Sequence, residues 1–170
     1  PDPAFVSLPA PVECAEVEGL NDERVARLGI DDLVAMCLGN VESARAVEPS
    51  VIVSGGAYCG SSESVLVNSL GVRVCWRSTY VSASFDVVVR RGDDVGTFYD
   101  YDTARVMDDF SADGLGARAT EAAVSFLGAR KIPSGTMSLV FGPLASGSIG
   151  QAIASAASAE EVQRNRSFLA

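Results

Sequence analysis

The chain has 170 residues, of which 48% are hydrophobic and 21% charged, a composition typical of a globular protein with a packed core. Its formal net charge of -9 and its scattered basic residues argue against binding to a nucleic-acid backbone. The sequence contains no histidine, which excludes a Ser-His-Asp triad and most catalytic zinc sites, so that carboxylates, cysteine or tyrosine would have to carry any catalysis.

The N-terminal residues 1–18 are rich in proline and are predicted to form an extended linker, because proline opposes helix formation. No run of about 18 apolar residues is present, and the start lacks the pattern of a signal peptide, so a cytoplasmic location is expected. The chain does not begin with Met, and we expect it to be part of a longer protein.

After this linker the pattern predicts two helices. A short one is possible over Asn21–Arg27, and a longer one opens at residues 29–31 and ends before Pro49. The apolar face of the longer helix recurs at three- and four-residue steps. It comprises Leu33, Cys37 (or Met36), Val41 (or Asn40), Ala44 and Val47.

The middle of the chain predicts an antiparallel meander, because short β-rich runs alternate with tight-turn signals. The turns are predicted at Ser54-Gly55-Gly56, at Asn68–Gly71 and at Arg91–Asp94. The predicted strands are Val51–Val53, Ser64–Asn68, Val72–Arg77, Tyr80–Arg90 and Val95–Tyr101.

The last third predicts a helix capped by Ser111 that runs to Leu127 and is closed by Gly128. Leu115, Ala119, Ala122 (or Ala123) and Phe126 are predicted to form its packed side. A linker then leads to a short apolar strand over Met137–Phe141, a helix of small residues, and a final helical segment over Ala159–Phe168. The fold class is therefore α+β: a meander flanked by amphipathic helices, then a strand–helix–helix start of a second domain.

Two possible binding sites, a glycine-rich turn and a set of aspartates, are weak on chemical grounds. Residues 142–147 have the spacing of a phosphate-binding loop but lack its lysine, so a turn packed with small residues is the better interpretation. Asp100, Asp102, Asp108 and Asp109 lack the pattern of a calcium loop and are predicted to be surface carboxylates.

The four cysteines form no C-x-x-C pair and are predicted to be buried free thiols. A structural zinc site would need all four, because no histidine is available. Cys59 is a possible nucleophile in a GAYCGSS loop, although no neighbour in the sequence would activate it.

Several segments, taken in order, resemble the TldD/PmbA family, the so-called modulators of DNA gyrase, which are related to metallopeptidases. The resemblance covers almost the whole chain and is most specific at residues 127–143 and at the terminal RSFLA. Its elements are Asn68-Ser69-x-Gly71, Arg77-Ser78-Thr79, Tyr99-Asp100-Tyr101, Gly116–Leu127, LGARKIPSG, an apolar run, and Gln163-x-x-x-Ser167-Phe168-Leu169.

The resemblance implies a cytosolic system of two subunit types that trims peptides. One type, TldD-like, carries an H-E-x-x-x-H zinc motif on a helix; the other, PmbA- or TldE-like, lacks it. On this chain the motif positions fall at residues 151–156, so that Gln151 and Ala156 replace the histidines and Ala152 replaces the glutamate. The resemblance therefore implies the type without the motif, with no catalytic, metal or cofactor-binding residue in this chain and zinc only in a TldD-like partner.

The same resemblance implies three divisions of the chain: a linker at 1–18, a central domain at 19–128, and the beginning of a C-terminal domain at 129–170. The predicted function is a non-catalytic subunit of a peptidase complex that handles peptides and unfolded segments. The alternative is a freestanding homodimeric binding or maturation module, and a third possibility is a hydrolase that uses carboxylates or Cys59.

Overall fold

We analysed a computed structural model, which describes residues 7–169. The chain divides into two compact units, the first ending at Ala129 and the second beginning at Arg130. The elements of the first unit are α1 (Glu23–Ala26), α2 (Ile30–Val47), β1 (Ile52–Val67), β2 (Arg73–Arg91), β3 (Asp94–Ala104), a 3₁₀ turn (Met107–Asp109) and α3 (Leu115–Ser125). The second unit contains α4 (Pro143–Ala156) and α5 (Ala159–Gln163).

The three strands form one antiparallel sheet in the order β1-β2-β3, which confirms the predicted α+β meander. The strands are longer and fewer than predicted. The GAYCGSS stretch does not form a loop, because it pairs with Val81–Ala83 and their neighbours as the middle of β1. Similarly, the two runs on either side of Ser78 join into the single strand β2.

Glycine at position 55 explains why a turn was predicted inside β1. Gly55 has a φ of 150°, and a Cβ there would lie 2.1 Å from the carbonyl oxygen of Ser84 on the paired strand. Gly55 therefore allows β1 and β2 to approach closely, and β1 continues through it. Both predicted hairpin turns are confirmed, with Gly71 at φ 93° and Gly92 at φ 63°.

Helices α2 and α3 cover one face of the sheet, and the core lies between them. Alternate residues of β2 point into this core, namely Val81, Ala83, Phe85, Val87 and Val89, and all are buried. The helices contribute Ala44, Leu115, Ala119 and Ala123, which are also buried. The predicted inner faces of both helices are thus largely correct, with two exceptions. Val47 of α2 is exposed, and Phe126 is 47% exposed and rests against Phe98 at the sheet edge.

The predicted cap of α3 was wrong. Its N-cap is Gly114, in a left-handed conformation with a φ of 72°, and the helix begins at Leu115. Ser111 lies in the preceding loop, where its backbone N–H donates to the Asp102 carboxylate at 2.7 Å. The loop is thus held to the sheet by Asp102, and the chain becomes helical only after Gly114.

The short strand predicted at Met137–Phe141 is also not formed. A strand needs a neighbour that satisfies its backbone groups, and the second unit contains only helices within its described residues. Helix α5 ends at Gln163 and is shorter than predicted.

Candidate functional site

Helix α4 carries the positions where the resemblance places a zinc motif. Gln151 and Ala152 are exposed on this helix, and the Gln151 amide nitrogen lies 3.4 Å from the Ser155 hydroxyl one turn away. Ala156 is buried, with 7% of its surface exposed. An amide and two methyl groups offer neither a base for a water molecule nor the imidazole or carboxylate that zinc prefers.

The glycine-rich stretch before these positions is not a phosphate-binding loop. Gly142 is the N-cap of α4 and Pro143 is its first residue, so residues 144–147 already belong to the helix. The Ser146 N–H donates to the Gly142 carbonyl at 2.9 Å, which is a helical hydrogen bond. The predicted turn was therefore wrong, because proline at the first helical position favours early helix initiation.

Cys59 lies in the middle of β1 and is half-buried on the helix side of the sheet. Its sulfur lies 3.7 Å from the Leu28 carbonyl oxygen, which accepts its weak hydrogen bond. A carbonyl does not remove the thiol proton, so this contact does not activate a nucleophile. The prediction of buried thiols was wrong for Cys14 and Cys75, both of which are exposed.

The aspartates considered for a cation site are held apart by separate partners. Asp100 accepts from the Arg118 guanidinium at 2.8 Å, which fixes the start of α3 against β3. Asp102 accepts from the backbone N–H groups of Thr103 and Ser111. Asp108 pairs with Arg24 at 2.7 Å. These carboxylates organise loops, and the structure does not bring them together.

The face of the sheet opposite the helices carries all four tyrosines of the chain. Ser84 of β2 pairs with Tyr101, Asp86 pairs with Tyr99, and Ser82 pairs with Tyr58, so these side chains share one side. Tyr80 and the only tryptophan, Trp76, follow in the same alternation along β2. Between 41% and 63% of each of these five aromatic residues is exposed. We call Tyr58, Trp76, Tyr80, Tyr99 and Tyr101 the aromatic face.

Glycines let two of these rings lie flat on the sheet. A Cβ at Gly60 would lie 2.5 Å from the ring of Tyr80 on the paired strand, and a Cβ at Gly56 would lie 3.2 Å from the Tyr58 hydroxyl. Tyr99 and Tyr101 stack with ring centroids 6.3 Å apart and an angle of 11° between the rings. The result is a broad aromatic surface with few rotatable bonds.

Such a surface is suited to binding and not to proton transfer. Exposed aromatic clusters are enriched at sites where proteins contact one another, and tyrosine buries a large area with little loss of conformational freedom. Asp86 is paired with Tyr99 and places an exposed carboxylate at one end of this face. The sequence predicted strands at Tyr80–Arg90 and Val95–Tyr101, but only the register between the strands brings the tyrosines together.

The region of the chain that matches a protein family lies within the first unit. A family model described as the PmbA/TldA metallopeptidase central domain matches residues 23–127. This match covers more than half of the chain and includes the sheet with its helices, which is the class of domain that the fold defines. The chain belongs to the PmbA/TldD metallopeptidase family.

Individual relatives agree with this membership. A metalloprotease PmbA homolog from Buchnera aphidicola is 27% identical over 143 residues, covering 82% of this chain and 32% of that protein. A solved structure described as a modulator of DNA gyrase, from Bacteroides thetaiotaomicron, has a TM-score of 0.85 and 26% identity, and covers 98% of this chain and 39% of that one.

The structure of TldE from Thermococcus kodakarensis shares the fold, with a TM-score of 0.62 at 24% identity over 71% of this chain and 27% of that chain. The chain thus spans between 27% and 39% of the length of these relatives. No helix within residues 7–169 is long and apolar enough to cross a membrane.

Proposed function

We propose that this chain is part of a PmbA/TldE-like, non-catalytic subunit of a TldD/PmbA-type metallopeptidase complex. The complex would process or degrade peptides and unfolded segments in the cytoplasm. Zinc would be bound by a TldD-like partner, and this chain would contribute binding surface.

The composition of helix α4 carries this proposal. At the motif positions, Gln151, Ala152 and Ala156 leave no side chain that binds zinc or activates water. Membership in a metallopeptidase family together with an empty motif is what a non-catalytic subunit of a two-component protease would have.

The aromatic face supports a binding role. An unfolded peptide presents backbone amides and scattered apolar side chains, and exposed tyrosines accommodate both through their rings and hydroxyls. A folded partner subunit would use the same chemistry at a flat interface.

The test is reconstitution with a TldD-like protein that carries H-E-x-x-x-H. The two chains are expected to co-purify, and the mixture is expected to cleave an unstructured peptide only when zinc is present. Replacing the first histidine of the partner motif should abolish cleavage while leaving co-purification intact. Substituting Gln151→Ala in this chain is the matched control and should leave the rate unchanged, because the proposal assigns no catalysis to it.

Cleavage by this chain alone in the presence of a chelator would overturn the proposal and favour a hydrolase based on carboxylates or Cys59. Failure to bind a TldD-like partner, together with a concentration-dependent dimer in sedimentation, would instead favour the freestanding homodimeric module. Peptide cleavage in chelator identifies the hydrolase, and the mass measured by sedimentation identifies the homodimer.

A further inference from the structure

The N-terminal segment runs beside one edge of β2. The Pro9 carbonyl accepts from the Asn68 side-chain amide at 2.8 Å, and the ring of Pro11 lies 3.6 Å from the position of a Cβ on Gly71. Further on, the Leu20 carbonyl accepts from the Thr79 backbone N–H at 2.9 Å. The segment therefore follows β2 in the same chain direction from the hairpin turn to Thr79.

This edge of β2 is not covered by β3, whose pairing begins only at Val81. Between the anchors at Gly71 and Thr79, the segment and the strand are separated by two open clefts of about 630 and 520 Å³. No backbone hydrogen bond joins residues 12–19 to residues 73–78, although both stretches belong to the described part of the chain. The segment is thus hydrogen-bonded to β2 and its turn near its two ends and not between them.

Two exposed cysteines line this gap. Cys14, on the segment, and Cys75, on β2, each line both clefts. At about 3.3 Å per extended residue, Cys14 lies about 10 Å beyond Pro11 and Cys75 about 13 Å beyond Gly71. Counted back from the contact of Leu20 with Thr79, the two positions differ by two residues, so the cysteines are level to within about two residues.

We propose that Cys14 and Cys75 form a reversible disulfide that clamps the N-terminal segment onto β2. A disulfide requires Cα atoms about 4.4 to 6.8 Å apart, and the segment can meet this requirement by closing the clefts, since no hydrogen bond holds its middle part away. The other two cysteines are placed differently: Cys59 contacts Leu28 on the helix side of the sheet, and Cys37 packs against the core around Phe85.

The oxidant is a small-molecule disulfide, and the reaction is thiol–disulfide exchange. One protein thiolate attacks a sulfur of the small disulfide, so that a mixed disulfide forms and one small thiolate leaves. The second protein thiolate then attacks the protein sulfur of that mixed disulfide and displaces the other small thiolate. Two protein thiols are oxidised, the small disulfide is reduced to two thiols, and these take up the two protons that the protein thiols lost.

The experiment uses the unmodified chain incubated with oxidised glutathione and then trapped with a thiol-alkylating reagent. The intact mass is expected to show two thiols alkylated and the loss of two hydrogens at the other two. A tryptic digest without reductant is expected to contain one linked pair, which joins the Cys14 and Cys75 peptides. Treatment with dithiothreitol should restore four alkylated thiols.

A double variant, Cys37→Ser with Cys59→Ser, should form the same link and serves as the matched control. Persistent glutathione adducts on Cys14 and Cys75 would overturn the proposal, as would a link to Cys37 or Cys59. A link formed only between molecules, recognised as a dimer on a non-reducing gel that increases with protein concentration, would overturn it as well.

A second readout follows the segment itself. Glu13, Glu16 and Glu18 are exposed between the anchors and offer cleavage sites for a glutamate-specific protease. Oxidation is expected to slow cleavage at these sites several-fold, and Cys14→Ser should remove the difference between oxidised and reduced samples. Equal cleavage rates in the linked and reduced unmodified chain would show that the bond does not clamp the segment.

Discussion

Asn40 is the buried polar side chain that joins helices α2 and α3. Its amide nitrogen donates to the carbonyls of Met36 and Ala112, and its amide oxygen accepts from the Gly116 N–H at 2.9 Å. Only 4% of the residue is exposed, so its side chain depends on these partners and not on bulk water for its hydrogen bonds.

Asn40→Ala is expected to lower the free energy of unfolding by about 2–4 kcal/mol, since it leaves the Gly116 N–H and the Ala112 carbonyl without their partner. Urea denaturation followed by circular dichroism measures this change. Asn21→Ala, at an exposed position, is the control and should change stability by less than about 0.5 kcal/mol. Similar stability of both variants would contradict the role given to Asn40.

Asp22 connects the start of α1 with the loop after β3. The Arg24 guanidinium, together with the backbone N–H groups of Met107 and Arg24, holds the pKa of Asp22 well below its usual range. Because the pKa is lower in the folded state, the ionised carboxylate stabilises the fold above the unfolded-state pKa, and this contribution is lost as pH falls toward the folded-state value.

Asp22→Asn is therefore expected to reduce the loss of stability between about pH 6 and about pH 3, a range that includes the ordinary aspartate pKa. Urea midpoints at several pH values measure the slope. The slope should decrease and not vanish, because two other carboxyl groups also have lowered pKa values. Hydrogen bonds from Ser50 and then Arg91 lower the pKa of Glu48, and Arg24 lowers the pKa of Asp108. Asp93→Asn, in the exposed β2–β3 turn, controls for the loss of one negative charge. If Asp22→Asn has the same slope as the unmodified chain, the ionised Asp22 carboxylate does not stabilise the fold as described.

At the level of elements, glycine controls how closely α3 approaches the sheet. A Cβ at Gly96 of β3 would lie 2.0 Å from the carbonyl oxygen of Ala123, so a side chain there would push the helix away. Gly39, exposed on α2, has nothing within 4 Å of the same position.

The same substitution should therefore act in opposite directions at these two sites. Gly96→Ala is expected to destabilise the fold by about 1–3 kcal/mol because of the clash, whereas Gly39→Ala should stabilise it by up to about 1 kcal/mol through helix propensity. Thermal unfolding of both variants distinguishes the effects, and equal signs would show that α3 adjusts to the added methyl group.

These elements differ in how well the sequence predicted them. The bounds of α2 followed from its three- and four-residue periodicity and Pro49, and both hairpin turns followed from their glycines, because these signals are local. The continuity of β1 through Gly55 and Gly60 depends on contacts with Ser84 and Tyr80 of the next strand. The strand expected at Met137–Phe141 failed for the converse reason: its residues favour a strand, but pairing requires a neighbour.

For the whole molecule, the aromatic face is the feature that local sequence patterns did not predict, since Tyr58, Tyr80 and Tyr99 come from three different strands. The absence of histidine, in contrast, was readable because it depends only on which residues are present. The proposed role as a subunit rests on these two features.

The double variant Tyr99→Ala with Tyr101→Ala is expected to weaken association with a TldD-like partner or an unfolded peptide by about tenfold or more, the effect typical of interface aromatics. Isothermal titration or fluorescence anisotropy measures the change. Thr97→Ala, exposed on the same side of β3, is the matched control and should bind normally. Loss of binding without loss of folding, checked by circular dichroism, would locate the effect on the surface; unchanged binding would remove the aromatic face from the proposed role.

The unequal lengths of the strands have a consequence for motion. Between Val81 and the turn at Asn68–Gly71 the sheet has only two strands. Strand β3 ends at Ala104, opposite Val81, while β1 and β2 continue to that turn. The four-residue helix α1 contacts both strands of this ribbon but gives it little cover, and a two-stranded ribbon by itself is only marginally stable. Amide hydrogen exchange should therefore become faster along β2 from Val87 toward Val74, so that one continuous strand is firmly protected at its C-terminal end and opens readily near the hairpin tip.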